Sequence, residues 1–139
     1  MAAVADEAKA EKARILVVDD DPHMRRTTLN GLQSQGYQAE GAEDGLQALQ
    51  RLQHGQFDVV VTDIQMPRLD GLALLREIRR RGYAQAVVVR TTLLDSSLEV
   101  VLRRAGASGV LLKGGPLGDL VRAVEEAYRA SQRPQACCA

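Results

Sequence analysis

Tryptophan is missing from this chain, and only one Phe and three Tyr occur in its 139 residues. Charge of one sign is missing too, since 18 Lys and Arg balance 18 Asp and Glu. A neutral, aromatic-poor surface offers no bulk attraction to DNA or to anionic lipid. Cysteine is confined to Cys137 and Cys138, which have no third cysteine to pair with. Neighbouring cysteines bridge only with strain, so they read as incidental thiols that can oxidise when exposed. Ala136 occupies the fourth position from the end, where a prenylation box needs cysteine. No apolar run approaches a bilayer span, and the start has no signal-peptide stretch, so a cytoplasmic chain without membrane insertion is expected.

What is present fills one domain, long enough to bury a core without staples. Five strand-like runs alternate with five helical patterns. Arg14 to Val18 is apolar and β-branched, and Pro22 then suits a first helical turn, with Met24, Thr28 and Leu32 on one face. A weaker strand spans Tyr37 to Ala42, followed by a Leu46, Leu49, Leu52 stripe that ends near Gly55. Phe57 to Thr62 reads as a buried strand ending at Asp63. The next helix has Leu72, Leu75 and Ile78 inward, with Arg76, Arg79, Arg80 and Arg81 expected outward as a solvated face. Ala86 to Arg90 is the fourth strand, ending at Thr91-Thr92, and Leu98, Val101, Leu102 and Ala105 mark the fourth helix. Val110 to Leu112 is the fifth strand, ending at Lys113. Leu117, Leu120, Val121, Val124 and Tyr128 mark the last helix. Such βα alternation implies an α/β domain, a parallel sheet with helices on both faces. The expected division is a tail over 1–13, the domain over 14–130 and a tail over 131–139.

Asp19/Asp20, Asp63, Thr91 and Lys113 all stand at strand ends, and parallel strands bring their ends to one edge. Acids gathered there repel one another unless a cation or proton lies between them. Three carboxylates suit Mg²⁺, a hard cation with oxygen ligands. A lysine pairs with a carboxylate or a phosphoryl oxygen, and a threonine hydroxyl donates to another. Together these are the parts that phosphoryl transfer to a carboxylate needs. Helix capping before Pro22 is the competing reading of the acids, and Asp21 is expected to cap in either case. A turn aspartate is the competing reading of Asp63, weakened because Asp70-Gly71 already supplies the turn chemistry. His23 and His54 lack partners at ligand spacing and read as surface residues.

Val17-Val18-Asp19-Asp20, the segment Asp63-Ile64-Gln65-Met66-Pro67-Arg68-Leu69-Asp70-Gly71, Thr91, Gly106-Ala107-Ser108-Gly109 and Lys113 resemble the receiver domain of two-component response regulators, from about Ile15 to Tyr128. The resemblance implies a flavodoxin-like (βα)5 fold, a doubly wound five-stranded parallel sheet of order 2-1-3-4-5. It implies that Asp63 accepts phosphate from a sensor histidine kinase or histidine phosphotransfer protein. Asp20, Asp63 and the Gln65 carbonyl would hold Mg²⁺, with Asp19 assisting through water. Lys113 would bridge to Asp63 and then to the phosphoryl group, and Thr91 would swing toward the phosphoryl oxygens. The expected product is a stand-alone switch, not a multiple-turnover enzyme. It would signal by protein contact on the face of the fourth helix, fifth strand and last helix, without binding DNA directly, as a monomer or a phosphorylation-dependent dimer. Arg103, Arg104, Arg122 and Glu126 would decorate that face.

Three positions depart from the family pattern. Gly114 follows Lys113, where proline in a cis peptide is usual; a non-proline cis bond costs about 2.5–4 kcal/mol, so a trans or mobile loop is expected. Val110 stands where many members carry a rotating Tyr or Phe. Thr92 replaces a usual Ala or Gly, and its bulk is expected to narrow access to Asp63. These departures support an alternative, a degenerate receiver acting as a phosphorylation-independent interaction module. A small aspartate-nucleophile phosphatase built on Asp19-x-Asp21 is a third possibility, disfavoured because His23 stands where such enzymes want Thr or Val. A flavin carrier is disfavoured because no phosphate loop rich in Ser, Thr and Gly follows the first strand.

Overall fold

In the computed structural model, which describes residues 12–93 and 95–132, five strands form one parallel sheet in the order β2-β1-β3-β4-β5. The elements alternate as β1 (Arg14–Val18), α1 (Pro22–Ser34), β2 (Gln38–Ala42), α2 (Gly45–His54), β3 (Val59–Asp63), α3 (Gly71–Arg80), β4 (Ala86–Thr91), α4 (Ser96–Arg104), β5 (Gly109–Leu112) and α5 (Leu117–Gln132). This is the flavodoxin-like arrangement that the family resemblance implied. Strands β3 and β4 are buried throughout, whereas the edge strands β2 and β5 are partly exposed.

Burial on both faces explains the near-continuous valine runs of the inner strands. The period of two divides them between two cores. Leu16, Val18, Val60, Val87 and Val89 pack against α2, α3 and α4 through Leu49, Leu74, Leu75, Ile78 and Leu102. Ile15, Val17, Val59, Val61 and Val88 pack against α1 and α5 through Leu32, Leu120, Val124 and Ala127. Aspartates start four of the helices: Asp21, Asp44, Asp70 and Asp95 each accept backbone N–H groups at an N-terminus. Such a cap is worth about 0.5–2 kcal/mol.

The outward margins of the helices differ from the periodicity. Leu46 is 54% exposed, Val101 43% and Leu117 39%, while Ala48, Leu74 and Ala127 are buried instead. Helix α4 rests on the outer strand β5, which covers only a narrow stripe, and Leu102 alone is fully buried there. The expectation that Arg79 faces solvent fails. Its guanidinium turns inward and donates to the carbonyls of Tyr83, Gln85 and Gly106 at 3.1, 2.8 and 2.9 Å. Three loop carbonyls would otherwise lack partners, and that demand outweighs hydration of the charge. Arg80 and Arg81 stay at the surface, paired with Glu77.

At the domain ends, Ala13 is fully buried and α5 continues to Gln132, two residues past the expected boundary. Residues 1–11 and 133–139 of the expected tails, with Cys137 and Cys138, lie outside the described residues. Among the described residues no helix is long and apolar enough to cross a membrane.

Candidate functional site

Strand order reverses at β1, which pairs with β2 on one side and β3 on the other. The carboxyl ends of strands at such a switch point form a crevice. Here Asp19 and Asp20 leave β1 and Asp63 ends β3, so repulsive charges are delivered to one place by strand direction. One carboxylate oxygen from each of Asp19, Asp20 and Asp63 can lie within 4.8 Å of the others. Asp19 is fully buried, Asp63 is 2% exposed and Asp20 is open to solvent. The cleft encloses about 580 Å³ and is also lined by Gln65, Thr91, Thr92 and Lys113.

Two backbone features hold Asp63 in position. Gly71 brings the start of α3 against the end of β3, its N–H bonded to the Ile64 carbonyl at 2.8 Å. A Cβ on Gly71 would lie 2.1 Å from the Asp63 carbonyl oxygen, so only glycine permits this approach. Arg68, in the left-handed region at φ 68°, pairs with the buried Asp44 carboxylate and ties the β3–α3 loop to the start of α2.

Lys113 is placed by its backbone N–H, which bonds to the Thr91 carbonyl at 2.7 Å. Its Nζ lies 2.5 Å from Asp63 Oδ2 and 3.5 Å from Asp19 Oδ1. Gly114 follows through a trans peptide with φ +86°, a conformation that proline cannot adopt. The lysine therefore reaches the acids by a left-handed glycine turn.

Burial pushes the Asp63 carboxyl up; the Lys113 hydrogen bond opposes this and the neighbouring Asp19 adds to it, leaving the pKa at about 7. Burial works to lower the Lys113 ammonium, but its bond to Asp63 and the charges of Asp63 and Asp19 hold it above the ordinary lysine value. Asp63 Oδ1 and Asp19 Oδ2 are buried and have no hydrogen-bond partner among the described residues. Orphaned carboxylate oxygens of this kind demand a cation. A clustered, all-oxygen donor set fits a hard divalent ion such as Mg²⁺.

Asp21 is drawn away from the cleft's chemistry: it caps α1, accepting from His23 and Met24. Thr91 lines the cleft, but its hydroxyl is engaged with Leu93, donating to the carbonyl at 3.1 Å and accepting from the N–H at 3.2 Å. Thr92 is exposed at the cleft wall, and Val110 packs half-buried against the α2–α4 core. His23 and His54 are surface residues, as expected.

Sequence reasoning missed Arg90. It is 6% exposed, pairs in register with Asp63 across β3 and β4, and places a terminal guanidinium nitrogen 3.5 Å from Asp19 Oδ2 and 4.0 Å from Asp63 Oδ1. The same nitrogen donates to Thr28 Oγ1 at 3.3 Å. The signal was available: Arg90 continues the inward-facing alternation Ala86, Val88, and a charge at such a position needs a partner.

Residues 15–125 match the family model described as the response regulator receiver domain. The chain is 40% identical to response regulator MprA of Mycobacterium sp. (strain KMS) over 108 residues, covering 78% of this chain and 47% of that protein. It is 36% identical to MprA of Mycobacterium avium (strain 104) over 119 residues, covering 86% and 52%. The chain thus spans about half the length of the curated relatives it matches. Among solved structures, the receiver domain of Francisella response regulator 1452 superposes with a TM-score of 0.82 at 26% identity, covering 87% of this chain and all of that one. Chemotaxis protein CheY4 of Vibrio cholerae gives 0.79 at 29% identity, covering 83% and 98%.

Proposed function

The chain belongs to the response regulator receiver domain family, and from that membership we propose that Asp63 is its phosphoacceptor, charged in a Mg²⁺-dependent reaction. The observation that carries this reading is the Lys113 ammonium bonded to Asp63 inside a cluster of three carboxylates. The donor is a phosphohistidine on a sensor histidine kinase or a histidine phosphotransfer protein. An Asp63 oxygen forms the new P–O bond as the P–N bond breaks, and the electron pair leaves with the imidazole nitrogen. Lys113 stands where it can follow the charge from the carboxylate to a phosphoryl oxygen. Bound at Asp20, Asp63 and the Gln65 carbonyl, with Asp19 assisting, Mg²⁺ would spread the negative charge of the transferring group. Burial that holds Asp63 partly protonated near neutrality makes that added positive charge important, because the nucleophile is the carboxylate.

Thr91 supplies the link to output. Its hydroxyl can bond either the backbone of Leu93 or a phosphoryl oxygen on Asp63, and exchanging partners releases the β4–α4 connection. Coupling of this kind is typically worth about 1–3 kcal/mol, enough to shift a two-state balance. Val110 offers no aromatic ring to rotate, so threonine and loop movement carry the change. The output surface is the α4–β5–α5 face. Val101 and Leu112 are exposed among its charges, while Arg103 pairs with Glu99 and Arg122 with Asp119. The chain acts through protein contacts as a cytoplasmic switch, monomeric or dimerising on phosphorylation, and does not turn over an external substrate.

Incubation with acetyl phosphate and Mg²⁺ should add one phosphoryl mass, located on Asp63 by peptide mapping. Chelation of the metal or Asp63→Ala should abolish it. Undiminished labelling of the variant would overturn the assignment.

A further inference from the structure

Arg90 brings a cation into the cleft from the α1/α5 side of the sheet. Three carboxylates then face two fixed positive groups, Lys113 and Arg90, where they would otherwise face Lys113 alone. Guanidinium does not lose its proton in proteins, so this charge is permanent. Its distances, 3.5 Å to Asp19 and 4.0 Å to Asp63, are too long for hydrogen bonds. The oxygens it faces, Asp19 Oδ2 and Asp63 Oδ1, are the two orphaned atoms of the cluster. Arg90 therefore stabilises their charge through space while leaving their lone pairs free. Thr28 holds the guanidinium there from α1, and burial keeps the interaction from being screened.

We propose that Arg90 is a resident counter-cation of the acidic cleft, neutralising Asp19 and Asp63 while no divalent ion is bound and weakening the binding of that ion. The inference rests on the reading of the cleft as a divalent-ion site. An ion taking up the free oxygens comes within a few ångströms of a fixed like charge in a partly desolvated site, which opposes its binding. The ion-free chain has the converse advantage, since buried carboxylates without a partner would destabilise it. Arg90 sets how much Mg²⁺ the switch needs before it can be charged, without touching the transferred group.

The test is a calorimetric Mg²⁺ titration, repeated with Mn²⁺ by electron paramagnetic resonance, on the unmodified chain, Arg90→Met, Arg90→Gln and Asp20→Asn. Thermal melts in EDTA and in saturating Mg²⁺ accompany it. Arg90→Met and Arg90→Gln should bind Mg²⁺ about tenfold more tightly or better. They should melt lower in EDTA and gain more from Mg²⁺ than the unmodified chain does. A variant that folds only when Mg²⁺ is added supports the proposal as well. Binding that Asp20→Asn weakens but both Arg90 variants leave unchanged overturns the counter-cation role and leaves the ion site standing. Absence of ion binding in every protein overturns both. Failure of both Arg90 variants to fold even in Mg²⁺ also overturns it, because the ion should replace the charge that was removed.

Discussion

Asp63 and Lys113 are fifty positions apart in the chain, yet Lys113 Nζ sits 2.5 Å from Asp63 Oδ2. Strand β4 lies between their strands, so the lysine crosses the tip of β4, where its own N–H is pinned to Thr91. Lys113→Ala removes the one hydrogen-bond donor to the Asp63 carboxylate among the described residues, and of those residues leaves only Arg90 as a cation facing the acids. A loss of about 1–3 kcal/mol in urea denaturation at neutral pH is expected, below the range for fully buried pairs because the lysine side chain is 20% exposed. Charging by acetyl phosphate should slow as well. A variant as stable and as rapidly charged as the parent would show the contact to be incidental.

The raised pKa of Asp63 has a consequence for stability against pH. An ordinary aspartate of the unfolded chain loses its proton near pH 4, whereas folded Asp63 holds its proton until about pH 7. Between those values the folded state binds more protons, so this group makes stability fall as pH rises. Asp63→Asn, which cannot ionise, should escape that loss. Its advantage over the parent in EDTA should be absent near pH 4, grow through pH 5–7 and level off above, reaching roughly 1–3 kcal/mol after allowance for residual solvation. Saturating Mg²⁺ should shrink it, since a bound cation favours the carboxylate. An advantage that grows on acidification would contradict the environment described for Asp63.

The architecture was legible because valine runs, glycine stops and aspartate caps all point to the same five βα units, and strand direction alone collects Asp19, Asp20, Asp63 and Lys113. Two arginines were not. Arg79 looked like part of a solvated face because periodicity registers position on a helix but not the demand of distant carbonyls, one of them 27 positions away. Arg90 was passed over as the last residue of an apolar strand, although its alternation with Val88 pointed it inward. In both, a tertiary requirement (a carbonyl or a carboxylate needing a donor) outweighed the residue type's usual preference for water. The hydroxyl of Thr91 illustrates a different limit. Its place was readable, but its present bond to Leu93 depends on a loop conformation that no local pattern encodes.

Gly71 is a packing requirement beside Asp63. Its ideal Cβ would approach the Asp63 carbonyl oxygen to 2.1 Å and the Ile64 Cα to 2.8 Å, both backbone atoms that cannot rotate away. Gly71→Ala should therefore cost about 1–3 kcal/mol by displacing the start of α3 or the end of β3. Because the carboxylate moves with its backbone, the rate of charging should fall more than stability explains. A melting temperature equal to the parent's would show that the turn can open freely.

Arg79 should behave as a structural brace. Arg79→Met keeps much of the stem's volume but leaves the carbonyls of Tyr83, Gln85 and Gly106 without their donor. A loss on the order of 2–4 kcal/mol is expected, and Arg79→Lys should recover only part of it because an ammonium cannot present the same planar fork. Mg²⁺ affinity should be unchanged, since none of these contacts involves the cleft. Full recovery by lysine would mean that charge, not fork geometry, matters there.

Thr92 lines the acidic cleft, exposed, one position beyond Thr91. With Asp63 as the proposed acceptor, water reaching the phosphorus for hydrolysis would pass along that cleft, as would a small phosphodonor. A hydroxyl and a methyl at this position crowd the cleft, and removing them widens it without breaking a side-chain hydrogen bond among the described residues. Thr92→Ala should therefore gain and lose its phosphoryl group faster than the parent, by about threefold to tenfold if the obstruction costs roughly 1 kcal/mol. The check is a paired measurement: acetyl phosphate loading and, after donor removal, decay followed by intact mass at fixed Mg²⁺. Both rates should rise together, because the obstruction lies on the path common to donor and water. A change in decay alone would move the explanation from access to the positioning of the attacking water, and equal or slower rates in the variant would remove Thr92 as a gate.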